Sequence, residues 1–176
     1  MKQMALLMSV ILLLSACTAR TMNKVIEEDI PFNVNEIIHK EKVKDGVILL
    51  YLTHQKSKQG EFAALTAAYL KGNDQDGWKN AGHNHWEYEE NEELTVYTDV
   101  FYDYDRNGHL ENRLPVIYGK IENKQITIVE VFGDEERIDH ARIIEKESGR
   151  YYMKMGDYKK ARGVTNGGLE RADQIK

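Results

Sequence analysis

Val116-Ile117-Tyr118-Gly119-Lys120-Ile121, followed by Glu122-Asn123-Lys124 and then Gln125-Ile126-Thr127-Ile128-Val129-Glu130-Val131-Phe132, sets the fold class. Both outer stretches are rich in β-branched and aromatic residues, which fit a pleated surface. The three residues between them are polar and of hairpin length. The same pattern recurs on either side. Residues 138–145 and 151–155 read as strands separated by 146–150, which contain the turn pair Ser148-Gly149. Residues 94–104 are rich in Thr, Val, Tyr and Phe. Residues 47–53 form a nearly continuous apolar run, as a central strand buried on both sides does. Residues 62–70 are ambiguous, because Ala63, Ala64, Ala67 and Ala68 favour helix. The turn signal at 73–77 and the aromatic segment 78–88 after it favour strand. Pro31 and Pro115 each fall at an element edge, where a missing N–H is tolerated. These signals predict a mainly β (α+β) protein with an antiparallel sheet, as a sandwich or half-open barrel.

The flanks are read differently. Asn33 as an N-cap, Glu36 early and Lys40 late predict a short helix over 33–40, stopped by Asp45-Gly46. Residues 18–30 are polar and of mixed charge, as a tether would be. Residues 156–176 are polar and glycine-containing, ending in a short helix over 169–175 or fraying. The expected organisation is a signal segment 1–16, a modified N-terminus and tether 17–32, one β-rich domain 33–158 and a polar tail 159–176. No internal repeat divides it.

The first residues have the three parts of an export signal: the cation Lys2, an apolar run over 4–14 broken only by Ser9, then small Ser15 and Ala16. That run is about half the roughly twenty residues a spanning helix needs. Its end, Leu14-Ser15-Ala16-Cys17, resembles the lipobox of bacterial lipoproteins position by position. The resemblance implies a diacylglycerol on the Cys17 sulfur and cleavage just before that residue. An unlipidated signal with an incidental cysteine is the alternative. Two acyl chains hold a protein stably on a bilayer where one does so only marginally. Cys17 is the single cysteine, so lipidation would leave the exported domain without a thiol for a disulfide or a nucleophile.

Net charge is −5, and the signal holds a lysine but no acid, so its removal makes the remainder more negative. That balance argues against a nucleic-acid surface and against electrostatic adhesion to anionic headgroups. The acidic block Glu87, Glu89, Glu90, Glu92 and Glu93 reads as a solvated turn or edge. The segment from Tyr118 to Ile126 through Val129 and Val131, with Ala141-Arg142-Ile143-Ile144 and Tyr151-Tyr152, is similar to small lipoproteins and secreted proteins of Bacillus-type bacteria. This resemblance implies a location in a Gram-positive cell envelope, and the lipobox an anchor on the extracytoplasmic face of the cell membrane. It supplies no activity or catalytic residues.

Two motifs bear on metals. Asp103-Tyr104-Asp105-Arg106-Asn107-Gly108-His109-Leu110-Glu111 resembles the start of an EF-hand loop. There Asp103, Asp105, Asn107, Glu111 and the His109 backbone would supply oxygens to calcium, with Gly108 at the turn. Leu114 stands at the twelfth position, where a bidentate glutamate belongs, and the preceding segment reads as strand. A hairpin loop centred on Asn107-Gly108 is the competing interpretation. His83-Asn84-His85 would put both imidazoles on one strand face for a transition metal, with Glu87 and Glu89 continuing it. The string from Gly77 to Glu89 resembles the first metal motif of cupins. The glycine expected after the glutamate is replaced by Val96, and no partner motif follows. Two ordinary histidines in a solvated hairpin is the alternative.

No G-x-S-x-G elbow or phosphate-cradling glycine loop occurs. The aromatic set Trp78, Trp86, Tyr88, Tyr97, Phe101, Tyr102 and Tyr104 fits either a ligand groove or core. The leading expectation is a lipid-anchored, non-catalytic binding module that contacts an envelope protein, peptide or polymer and carries no cofactor. A calcium- or other metal-binding module and an enzyme acting on envelope polymers are the alternatives.

Overall fold

A computed structural model describes residues 19–58, 60–82, 85–105, 107–134, 137–165 and 172–175. The export segment, Cys17 and His83 lie outside these residues. Among the described residues the protein is mainly β, with three four-stranded antiparallel sheets, one short helix and no closed barrel.

The helix, α1, spans Met22–Glu28 and starts at Thr21, whose side-chain oxygen accepts a hydrogen bond from the Lys24 N–H at 3.3 Å. Met22, Val25 and Ile26 recur at helical spacing and, with Ile30, pack on one sheet. The expected helix over 33–40 is a strand instead, β1 (Glu36–Val43). Ile38 and Ile37 point into different cores, which a strand allows by alternation. Asn35, inside the expected helix, bonds to the following strand instead: its N–H donates to Leu52 O and its side chain accepts from the His54 N–H, both at 2.9 Å. Part of the expected tether is therefore packed against the domain.

β1 is followed by β2 (Gly46–Ser57), β3 (Gly60–Asn73) and β4 (Gly77–Asn80), paired in that order as the first sheet. β2 is central, as expected, and its residues alternate between two cores. Ile48 and Leu50 join Leu65, Ala67 and Tyr69 on one face, while Leu49 and Tyr51 join Ala68 and Leu70 on the α1 side. Strand wins over helix for 62–70 because pairing with β2 is continuous from Ser57↔Gly60 to Gly46↔Lys71.

The second sheet contains β5 (Tyr97–Tyr104), β6 (Leu110–Ile121), β9 (Arg142–Lys146) and β10 (Gly149–Met155), in the order β5-β6-β10-β9. The third contains β7 (Ile126–Gly133), β8 (Ile138–His140), β11 (Tyr158–Thr165) and β12 (Ala172–Ile175), in the order β12-β11-β7-β8. The β9–β10 hairpin is where the Ser148-Gly149 signal placed it.

Three expectations are corrected here. β6 and β7 are not a paired hairpin but belong to different sheets. Glu122 and Asn123 turn the corner by donating their N–H groups to Glu93 O, so that Ile121 and Ile126 both enter the core between those sheets. Residues 138–145 are two strands, changing sheets at Ala141. The polar stretch from 159 onward contributes β11 and β12, so 172–175 is strand and not helix.

The layers stack as α1, first sheet, second sheet, third sheet. Tyr97, Phe101, Val116, Tyr118, Tyr151 and Met153 of the second sheet face the first. On its other face Ile117, Ile121 and Tyr152 meet Ile126, Val129, Val131 and Ala161 of the third. Gly119 sits where Thr95 crosses β6, and a Cβ there would lie 1.9 Å from Thr95 O. Thr95 is tied on both sides: its N–H donates to Lys120 O, its Oγ1 accepts from the Lys120 N–H, and its carbonyl accepts from Tyr152 Oη at 2.8 Å.

Candidate functional site

β2 and β3 are the longest strands of the first sheet, with 12 and 14 residues, and run beyond the core. Leu52, His54, Ala63 and Leu65 lie on one face of this hairpin, since His54 pairs with Ala63 and Leu52 with Leu65. They form one side of a cleft of about 680 Å³. Opposite stand Lys120 and Glu122 at the end of β6, Ser148 and Tyr151 of the β9–β10 hairpin, and Tyr88 to Asn91 with Thr95 and Tyr97. That volume is within the range that accepts a small molecule or a short peptide segment.

Aromatic rings and carboxylates share the lining. Phe62 meets Tyr88 at a centroid distance of 4.3 Å and Trp86 at 5.5 Å. Tyr97 Oη accepts from the Glu89 N–H at 3.1 Å, and Tyr151 Oη donates to Ser148 Oγ at 3.0 Å. Burial pushes both phenols above their usual pKa, so both remain neutral O–H groups at physiological pH. Tyr88 Oη donates to Glu90. The carboxylates on the lining are Glu36, Glu89, Glu90 and Glu122, and the Lys120 ammonium is paired with Glu122. Asn91 fixes the bend into this wall by accepting from the N–H groups of Glu93 and Leu94 at 2.7 and 3.0 Å. Within the acidic block, Glu89, Glu90 and Glu92 are exposed, as a solvated turn requires.

The calcium candidates sit at the other end of the molecule, in the β5–β6 hairpin, and separate into two groups. Asp103 is buried, 4% exposed, and faces inward. It accepts from Lys71 Nζ at 2.7 Å, and from Tyr69 Oη and Asn112 Nδ2 at 3.3 Å. Burial alone would raise the Asp103 carboxyl, but these donors outweigh it and hold its pKa below the usual value. Glu111 shares the same Lys71 ammonium at 3.3 Å. Asp105 fastens its own turn, accepting from the N–H groups of Asn107 and His109 at 2.8 Å and contacting His109 Nδ1 at 3.1 Å. The cation that Asp103 and Glu111 share in this fold is thus a lysine side chain.

His85 has Nε2 3.9 Å from Glu87 Oε1 and Nδ1 3.9 Å from the buried Asp99, while its carbonyl accepts from the Thr66 hydroxyl. His83, its expected partner, is outside the described residues, as is Cys17. Among the described residues no group of three or more His, Cys, Asp or Glu side chains is placed to hold a metal ion.

The aromatic set divides by position. Tyr97 and Phe101 are core, and Trp78 packs beside α1 with its Nε1 donating to Asp74 at 2.8 Å. Trp86 meets Phe62 edge-on and Tyr88 packs on it at a tilt, near the cleft. Tyr102 and Tyr104 are exposed. Phe62, Tyr151, His54 and Lys120 carry no motif that marks them in the sequence as site residues. Their only common signal is proximity to strand ends that come together through long-range pairing.

Comparison of the chain with protein-family models, with curated proteins and with solved structures gave no match.

Proposed function

We propose that the protein is a lipid-anchored, extracytoplasmic binding module that takes an envelope ligand in the cleft between the β2–β3 hairpin and the second sheet. The cleft carries the binding half of this proposal: a concavity of about 680 Å³ whose lining includes Phe62, Tyr88, Tyr97 and Tyr151. Such rings give a ligand large contact area at low entropic cost, and the carboxylates favour a partner with cationic groups. The lipobox-like Leu14-Ser15-Ala16-Cys17 supports the anchor.

Cys17→Ser is expected to abolish palmitate incorporation and to leave the signal uncleaved at residue 17. Label persisting in that variant would remove the anchor from the proposal. For the cleft, a photo-crosslinking residue at His54 should give a discrete adduct in intact cells. Ala63→Trp, which fills the cleft from an exposed position, should abolish that adduct without lowering the unfolding temperature. An undiminished adduct in Ala63→Trp would place the partner elsewhere.

A further inference from the structure

Ala19 and Arg20 do not hang free of the domain. Arg20 O accepts from the Trp78 N–H at 2.9 Å. The Arg20 guanidinium donates to Asp29 and Glu28 at 2.8 Å, tying this strand of chain to the end of α1. Ala19 lies against Gly77 at the start of β4. Cys17 is two residues earlier, so its Cα can be no more than about 7 Å from that of Ala19. Ala19 and Arg20 share a broad concavity of about 1000 Å³ with the β3–β4 turn and with Tyr104, Asp105 and Asn107 of the β5–β6 hairpin.

That hairpin carries exposed apolar side chains. Tyr102 and Tyr104 are two apart on β5 and so point the same way. Leu110 is the cross-strand partner of Tyr104, and the two are 52% and 53% exposed. Tyrosine beside an aliphatic residue suits the boundary between headgroups and acyl chains. The surrounding charges, Asp74, Asp76, Asp103, Asp105 and Glu111 against Arg20, Lys71, Lys79 and Arg113, give no surplus of cations for anionic headgroups. The cleft is at the opposite end. Phe62 and Lys71 lie on the same strand, nine residues and about 30 Å apart.

We propose that the β5–β6 hairpin tip, with Tyr102, Tyr104 and Leu110, rests on the outer leaflet of the membrane, so that the cleft opens away from the bilayer. This rests on lipidation of Cys17. The anchor then works as a short mount and not as a leash: it sets which end of the domain faces lipid, and the exposed hairpin supplies the second contact.

The test uses the full chain, lipidated in a bacterial host and reconstituted in phosphatidylcholine vesicles carrying a nitroxide on the headgroup. Lipidation converts the Cys17 thiol to a thioether, so an introduced cysteine is the only reactive thiol. An environment-sensitive fluorophore at Leu110→Cys is expected to lose most of its emission to the nitroxide lipid. The same label at Lys58→Cys, on the β2–β3 turn, is expected to keep it. Tyr104→Cys provides a second position on the tip, should the first variant fold poorly. If the protein floats with the vesicles but position 58 is quenched as strongly as 110 and 104, the orientation is overturned while the anchor stands. If it fails to float, the anchor fails and the orientation falls with it.

Discussion

Gly119→Ala is expected to destabilise the protein by about 3 kcal/mol, among the larger effects of adding one methyl group to a core. The added carbon would be placed 1.9 Å from Thr95 O, 2.6 Å from the Tyr152 ring and 2.8 Å from the Thr95 carbonyl carbon. The first and third of these are backbone atoms of a residue whose N–H and Oγ1 are bonded to Lys120 of β6 and whose carbonyl accepts from Tyr152 of β10, so they cannot swing aside as a side chain would. Relief requires Thr95 to lift off β6, which loosens its pairing with Lys120 and exposes the Tyr152 hydroxyl to loss of its acceptor. Each such bond contributes about 1 kcal/mol net, and a buried hydroxyl left unpaired costs more. At about 2–4 °C per kcal/mol for a chain of this size, thermal unfolding should begin roughly 10 °C lower. A melting temperature within about 2 °C of the parent would mean that Thr95 does not lie against β6 as described.

Lys71→Met should be of comparable severity and should depend on pH in a defined direction. It deletes the ammonium while leaving the Asp103 carboxylate in a buried position with only Tyr69 and Asn112 as donors. Removing one partner of a buried pair costs about 3–5 kcal/mol, and the partial exposure of Lys71 places this case at or below the lower end. In the parent protein the Asp103 pKa is held below its unfolded value of about 3.9. Its contribution is therefore fully present above that unfolded value and is lost as pH falls through the folded one. In the variant the orphaned carboxyl favours its neutral form, so the deficit in the urea midpoint should be largest near neutrality and shrink on acidification. A deficit that grows as pH falls would contradict the assignment of Asp103 as the buried charge. Asp103 lies in the loop that resembles a calcium site, so loss of fold from changes there is a stability effect that needs no bound ion.

How far the sequence carried the fold can be judged from particular residues. The β2 strand was legible because burial on two faces leaves an uninterrupted apolar run, and 62–70 because the turn beyond it outweighed its alanines. The β9–β10 hairpin was legible because its turn is local. The α1 helix escaped notice because it is only two turns long and its apolar positions, Met22, Val25 and Ile26, sit among charges. Residues 33–40 carried a credible cap and still became strand, since pairing with β2 and burial of Ile37 and Ile38 on opposite sides outweigh local propensity. The Glu122-Asn123-Lys124 linkage had hairpin length, but length alone does not distinguish a turn within a sheet from a corner between two sheets. The decisive contact, with Glu93, is some thirty residues away. The cleft was not legible for the same reason. Its walls come from strand ends and a turn far apart in sequence, and only Tyr88 and Tyr97 of the aromatic candidates line it.

The second sheet belongs to both inter-sheet cores at once. Along β6, Val116 and Tyr118 fill one while Ile117 and Ile121 fill the other; on β10, Tyr151 and Tyr152 divide likewise. Neither half can open by peeling away from an intact neighbour, because the surface it would leave is the reverse of the sheet that supports the other half. The molecule is consequently one cooperative unit in which the two cores share their stability. A defect introduced on the side remote from the cleft is transmitted to the cleft through the thickness of a single strand.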